Sequence, residues 1–186
     1  MMLPKQLFYR SFSSSSFRLN AKLCDVLIVG GGPAGLTLAA AIKPSPYLSD
    51  LSTVLVDAGD LKGKIANFYH DPPKTFTNRV VSLTPQSKEF LEGTVGVSLM
   101  ENRIQPFDGL YVTDGCSDGT LEMERDSMGN MVEILNIQSS LLEKLRVTNP
   151  AALDILDKTK VQNIENENPD DPQSWPVVTL DNGDQY

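Results

Sequence analysis

The chain has 186 residues, of which 40% are hydrophobic and 22% charged, and its formal net charge is −8; that is enough polypeptide for one domain with a core of its own. An acidic body argues against nucleic acid as a partner, which calls for a basic face, and no apolar run reaches the roughly twenty residues that a membrane-spanning helix needs. Two cysteines, Cys24 and Cys116, are too few for a disulfide framework or a four-cysteine zinc site; they read as small buried hydrophobes in a reducing compartment. The single histidine, His70, falls in an expected loop and leaves little room for a histidine-based metal site or a Ser-His-Asp triad.

Charge is unevenly spread along the chain. Residues 1–24 hold Lys5, Arg10, Arg18 and Lys22 and are rich in serine, and every acidic residue comes later. A basic, serine-rich, acid-free start is the composition of a mitochondrial targeting segment. Leu3, Leu7 and Phe8 would share one side of a short helix, and Arg10-Ser11-Phe12-Ser13 is similar to a matrix-processing site. A disordered basic tail is the competing reading.

From Asp25 the pattern changes. Residues 25–29 predict a strand, Gly30-Gly31-Gly32-Pro33-Ala34-Gly35 a tight turn, and residues 36–43 a helix. In that setting Gly30 permits the turn and Gly32 leaves a pyrophosphate room against the backbone. Gly35 lets the helix approach the strand, and the helix N-terminus offers free N–H groups to the anion. Residues 53–56 predict a second strand ending in Asp57, about twenty residues past the last glycine, where a carboxylate can accept hydrogen bonds from a ribose 2′-hydroxyl. Strand, glycine turn, helix, strand and acid together predict a nucleotide site. A βα turn that binds nothing, with Asp57 a solvated strand end, is the alternative.

Pro44-Ser45-Pro46 stops the helix. Residues 58–76 read as irregular, with a weak helix over 61–69. Residues 79–83 are a short apolar stretch, and Thr84-Pro85 supplies an N-cap and a first-turn proline for a helix over 85–91. Strands are predicted over 107–113 and 119–123 around a turn at Asp114-Gly115, with Glu122 and Glu124 on a solvated face rather than forming an acid–base pair. A helix from Asn136 or Ser139 to Leu145 places Ile137, Leu141, Leu142 and Leu145 on one side. Short strands follow at 154–156 and 160–164, then a polar loop over 165–174. Residues 175–180 predict a strand and Asp181-Asn182-Gly183 a hairpin turn. Asp184-Gln185-Tyr186 then starts a return strand, and an unfinished strand leaves an open edge, so the chain is expected to be part of something longer.

The glycine turn, Asp57 and Thr77-Asn78-Arg79-Val80-Val81-Ser82-Leu83-Thr84-Pro85 together resemble the para-hydroxybenzoate-hydroxylase-type flavin monooxygenases. Three stretches are similar to the fungal mitochondrial ubiquinone-biosynthesis (UbiH-like) members of that group: Ile104-Gln105-Pro106-Phe107-Asp108-Gly109-Leu110-Tyr111-Val112-Thr113-Asp114-Gly115, Ile134-Leu135-Asn136-Ile137-Gln138-Ser139-Ser140-Leu141 and Asp171-Pro172-Gln173-Ser174-Trp175-Pro176. The similarity runs from about residue 25 to residue 186. It implies an α/β fold, with a Rossmann-like, three-layer FAD-binding domain and part of an interleaved antiparallel-sheet substrate domain, in an incomplete chain. The organisation implied is a targeting segment over 1–24 and the N-terminal part of the FAD-binding monooxygenase domain over 25–186. Within the latter, about 100–135 and 155–186 contribute sheet segments.

The same resemblance implies FAD as the cofactor, with Gly30, Gly31, Gly32, Pro33, Ala34 and Gly35 at its pyrophosphate and Asp57 at its adenosine ribose. Arg79 matches the arginine that reaches the flavin side, where a guanidinium suits phosphate and carbonyl oxygens; a surface arginine in an ion pair is the alternative. Gln138 matches a position that touches FAD in relatives; an ordinary polar residue in a helix's first turn is the alternative. The implied activity is hydroxylation of a polyprenylated hydroxybenzoate or phenol ring in ubiquinone biosynthesis. Reduced flavin reacts with oxygen, the C4a-hydroperoxide transfers OH, and the protein positions the ring and excludes water. No catalytic side chain and no metal ligand are assigned. The implied partners are the polyprenylated aromatic substrate, a ferredoxin and its reductase as electron donors, and a ubiquinone-biosynthesis complex, on the matrix side of the mitochondrial inner membrane as a peripheral protein. Two further FAD motifs of the family, an Asp-Gly segment and a later Gly-Asp segment, are missing, so the chain alone is expected not to hydroxylate. An NAD-dependent Rossmann dehydrogenase, whose cofactor brings the same ADP moiety to a glycine turn, and a non-catalytic truncated nucleotide-binding fragment are the other readings.

Overall fold

The computed structural model describes residues 21–148, 150 and 152–186; residues 1–20, most of the expected targeting segment, lie outside the described residues. In chain order the elements are β1 (Val26–Val29), α1 (Pro33–Ile42), β2 (Thr53–Val56), a helical stretch Leu61–Ile65 running into α2 (Ala66–His70), β3 (Val80–Leu83), α3 (Pro85–Glu89) continued by the helical stretch Phe90–Thr94, β4 (Ile104–Thr113), β5 (Thr120–Glu133), α4 (Ile134–Thr148), β6 (Leu153–Leu156), β7 (Val161–Asn166) and β8 (Pro176–Leu180).

A parallel sheet positions the site. β2 lies between β1 and β6, parallel to both, and all four of its residues are buried, as a strand covered on both faces requires. Side chains alternate across the sheet. Leu55 and Ile28 face Leu36, Ala39 and Ala40 of α1 and Ile137, Leu141 and Leu145 of α4. Val54 and Val56 point the other way, onto Val178 and Leu180 of β8. The result is three layers: helices, parallel sheet and the antiparallel β7–β8 hairpin. Beyond β8 the chain turns at Gly183, whose φ is +87°, and the main chain of Tyr186 pairs with that of Val178 at 2.8 and 3.0 Å. Residues just past position 20 dock at the same place. The Lys22 N–H donates to Gln185 O at 2.8 Å, its Nζ meets Asp184 at 2.9 Å, and the ammonium lies 5.2 Å from the centre of the Tyr186 ring.

The second sheet is antiparallel, in the order β3-β5-β4. Only the end of β5 is flanked on both sides: Asn130–Glu133 pairs with β3, while the earlier half pairs with β4 alone and forms a solvated arm. Glu122 and Glu124 are exposed on this arm, as expected, opposite Tyr111 and Gly109.

Several expectations are corrected. β5 runs fourteen residues, to Glu133, instead of stopping at 123. α4 begins at Ile134 with no intervening loop, because the Ile134 N–H is taken by Arg79 O at 2.9 Å, so the strand passes straight into the helix. His70 is not in a loop; it ends α2, and its Nε2 lies 3.3 Å from Glu143 Oε2 on α4. Neither cysteine is buried: Cys24 is half-buried and Cys116 is exposed at the tip of the β4–β5 arm, where no second layer covers it.

Lys43, just past α1, is 7% exposed. Its Nζ donates to Leu51 O at 2.6 Å and Ala152 O at 2.9 Å, tying the helix to the approaches of β2 and β6. Burial holds its pKa below the usual lysine range, against the opposing pull of Asp25 and Asp50. Lys43→Met is expected to leave both carbonyls without that donor and to cost about 1–3 kcal/mol, read as a lower urea midpoint at unchanged slope.

Candidate nucleotide site

β1 hands over to α1 at Gly30, where φ is +106°, a backbone region that side chains avoid; the Gly30 N–H donates to Val56 O at 2.8 Å. The next residue is held through both of its main-chain polar groups. The Gly31 N–H donates to Asp57 Oδ2 at 2.6 Å, and Gly31 O accepts from Gln138 Nε2 at 2.8 Å. Gly35 lies so close to the turn that a Cβ there would strike Gly30 O.

Gly32 is different. It is the N-cap of α1 in extended backbone, and no side chain caps the helix. A Cβ on Gly32 would meet nothing within 4 Å. The N–H groups of Gly32, Ala34 and Gly35 belong to the set that a helix cannot satisfy internally, and Pro33 has none to satisfy. α1 therefore presents free donors and the positive end of its dipole to open space, a cradle that fits a pyrophosphate. By contrast α3 is closed by its own sequence, with Thr84 Oγ1 accepting from the Ser87 N–H at 3.1 Å.

Asp57, at the end of β2, accepts from Gly31 with one oxygen and from the Gly59 N–H, at 2.6 Å, with the other. Each oxygen keeps a lone pair for a hydroxyl donor. Asp57→Ala is expected to leave both N–H groups without their acceptor and to lower stability without nucleotide by about 2 kcal/mol; Asp57→Asn, which keeps one carbonyl oxygen, is expected to lose less in the same thermal melt.

The structure thus brings Gly30 to Gly35, Asp57 and Gln138 together. Gln138 reaches the turn from the second turn of α4 rather than the first, since the helix starts early. Arg79 is exposed immediately before β3, and among the described residues its guanidinium makes no salt bridge. Its carbonyl is bound to the first N–H of α4, the helix that carries Gln138. An open groove of about 420 Å³, lined mainly by apolar side chains including Pro33, Ala34, Leu83, Phe90 and Ile137, runs beside the first turn of α1.

One constellation forms no recognisable motif in the sequence. Arg103 and Glu133 are 7% and 2% exposed and form a two-point ion pair, Nε to Oε2 at 2.5 Å and Nη2 to Oε1 at 2.9 Å. The guanidinium also lies over the rings of Phe68 and Phe76, at 5.1 and 4.7 Å. Burial raises the Glu133 pKa, but Arg103 and the Thr77 N–H outweigh it and hold the carboxyl below the usual range. A signal was present: Glu133 is the one charge in the apolar run Met131-Val132-Glu133-Ile134-Leu135.

No family model matches the chain. A solved variant of PqsL from Pseudomonas aeruginosa superposes with a TM-score of 0.58 at 18% identity, covering 87% of this chain and 40% of that one. A further PqsL structure, described as "a probable FAD-dependent monooxygenase", gives 0.54 at 18%, covering 87% and 39%. The p-nitrophenol 4-monooxygenase PnpA from Pseudomonas putida gives 0.53 at 15%, covering 87% and 37%. The chain therefore has the fold found in FAD-dependent monooxygenases, over part of their length.

Sequence relatives are closer. "Ubiquinone biosynthesis monooxygenase COQ6, mitochondrial" from Saccharomyces cerevisiae is 54% identical over 188 residues, covering 100% of this chain and 39% of the relative. The proteins of the same name from Schizosaccharomyces pombe and Xenopus tropicalis are 31% and 32% identical, covering 75% and 66% of this chain and 29% and 26% of their own length. The chain is homologous to these ubiquinone biosynthesis monooxygenases and spans 39% of the length of the Saccharomyces relative.

Proposed function

We propose that these residues form the ADP-binding half of an FAD site in a flavin-dependent monooxygenase that hydroxylates a polyprenylated aromatic ring in ubiquinone biosynthesis. The reading is carried by the 54% identity along the whole chain to a protein named as a ubiquinone biosynthesis monooxygenase. The open, uncapped start of α1 supports it. FAD, when bound, supplies the redox chemistry that activates oxygen. The chain's own part is to hold and orient. Main-chain N–H groups of Gly32, Ala34 and Gly35 receive the pyrophosphate oxygens, within the turn formed by Gly30, Gly31 and Pro33. Asp57 accepts from the adenosine ribose while keeping Gly31 in place. Gln138 braces the same residue from α4, and Arg79 brings a permanent positive charge towards the flavin end.

The setting that goes with this reading is the matrix side of the mitochondrial inner membrane, with peripheral attachment, a ferredoxin and its reductase as electron source, and a ubiquinone-biosynthesis complex as the assembly. The relatives' printed names support the mitochondrial part. The test is purification of the full-length protein, with an expected flavin absorption spectrum and reductant-dependent hydroxylation of a prenylated hydroxybenzoate. A colourless protein that takes up NAD instead would overturn the proposal in favour of a dehydrogenase.

A further inference from the structure

Residues 71–79 connect α2 to β3 and deliver Arg79. This segment is mostly exposed and has little packing of its own, yet its backbone is tied down at every second residue. Arg103 Nη1 donates to Pro73 O at 2.8 Å and Nη2 to Thr75 O at 3.1 Å. Glu133 Oε1 accepts from the Thr77 N–H at 2.5 Å. The N–H of the next residue along β5 and α4, Ile134, donates to Arg79 O at 2.9 Å. Four alternate positions, 73, 75, 77 and 79, are thus fastened to one buried pair and its neighbour.

The pairing register explains why the two charges meet. Ile104 lies opposite Val132 across β4 and β5, so the antiparallel ladder sets Arg103 against Glu133. Val80 in turn lies opposite Glu133 across β3 and β5. A buried ion pair adds little net stability over an apolar filling, so its presence in the core needs another reason. Here every remaining hydrogen bond of the two side chains goes to the segment leading into Arg79.

We infer that Arg103 and Glu133 are positioning residues for Arg79: they fix the approach of the 71–79 segment so that the Arg79 guanidinium is presented at the nucleotide site. The inference rests on the proposed contact of Arg79 with the cofactor. Neither residue touches the cofactor; both act through the backbone of the loop.

The test is a double-mutant cycle in the full-length protein, with FAD affinity read from quenching of free flavin fluorescence. Arg103→Lys keeps the charge facing Glu133 but loses the planar fork that reaches Pro73 and Thr75, and so keeps the buried charges matched where Glu133→Gln would leave the guanidinium without a counter-charge. Arg79→Ala is expected to weaken FAD binding roughly tenfold, and Arg103→Lys by a similar factor. The double variant is expected to be no weaker than Arg79→Ala alone. Trypsin is expected to cut the Arg103→Lys apoprotein after Lys74 faster than the wild type, at an unchanged rate elsewhere. Two independent factors that multiply in the double variant would overturn the inference and leave the role of Arg79 standing, as would wild-type affinity in a folded Arg103→Lys protein. Wild-type affinity in Arg79→Ala would instead remove the cofactor contact itself, and the inference with it.

Discussion

Gly32→Val and Gly35→Val, the same substitution three residues apart, are expected to fail in opposite ways. At Gly35 the new Cβ strikes Gly30 O and comes within 3.2 Å of Ile28 Cγ2. The carbonyl is main chain in the turn that joins β1 to α1, so it cannot swing aside as a side chain would. Relief requires the helix to move off the sheet and open the core formed by Leu36, Ala39, Ile28 and Leu55. A loss of about 3 kcal/mol or more is expected, seen as insoluble protein or an early melt by circular dichroism. At Gly32 the backbone is extended, with φ −73° and ψ 178°, which valine adopts readily, and its side chain enters open space. That protein is expected to melt like the wild type and to be purified without flavin. A Gly32→Val protein with full flavin content would place the phosphates elsewhere.

Breaking the Arg103–Glu133 pair has the second large expected effect. Glu133→Ala leaves a guanidinium buried between Phe68 and Phe76 with its carboxylate partner gone, and deprives the Thr77 N–H of its acceptor. Removing one member of such a pair typically costs about 3–5 kcal/mol, so Glu133→Ala is expected to lower the urea midpoint more than any surface substitution on the β4–β5 arm. The pair also sets a pH dependence. The folded-state pKa of Glu133 is depressed, so the unfolded chain binds the proton more readily. Its stabilising contribution is complete above the unfolded carboxylate value, near pH 4.3. It declines as the pH falls through the lower, folded value. Stability attributable to this group is expected to be flat from neutrality to about pH 5 and to fall below it, and Glu133→Gln is expected to flatten that acid limb.

The legible parts of this fold are those whose cause is local. Gly30 needs a positive φ, Gly35 a close approach and β2 burial on both faces, and each demand selects residue types that stand together in the sequence. The Thr84-Pro85 cap belongs to the same kind. The length of β5 does not. Its first half is exposed on both faces, with four charges, Glu122, Glu124, Arg125 and Asp126, within five residues, so no alternation of burial was imprinted there. The start of α4 was hidden because its cap is a carbonyl from Arg79, far away in the chain. In the site, the partners of Gly31 at positions 57 and 138 both stand out in the sequence. What joins them, one residue gripped through its N–H and its carbonyl, is a property of the folded arrangement alone. Arg103 and Glu133 escaped for the same reason: thirty residues separate them, and only strand register brings them face to face.

The attachment of Lys22 to Gln185, Asp184 and Tyr186 sets a limit on any removal of the proposed targeting segment. A processing peptidase that cut after residue 24 would discard this strap together with the half-buried Cys24 side chain, which packs against the cluster of Val54, Val56, Val178 and Leu180. If the segment is cleaved, the new amino terminus, read by Edman degradation or terminal-peptide mass spectrometry, is therefore expected upstream of Lys22, leaving the strap fastened to residues 184–186.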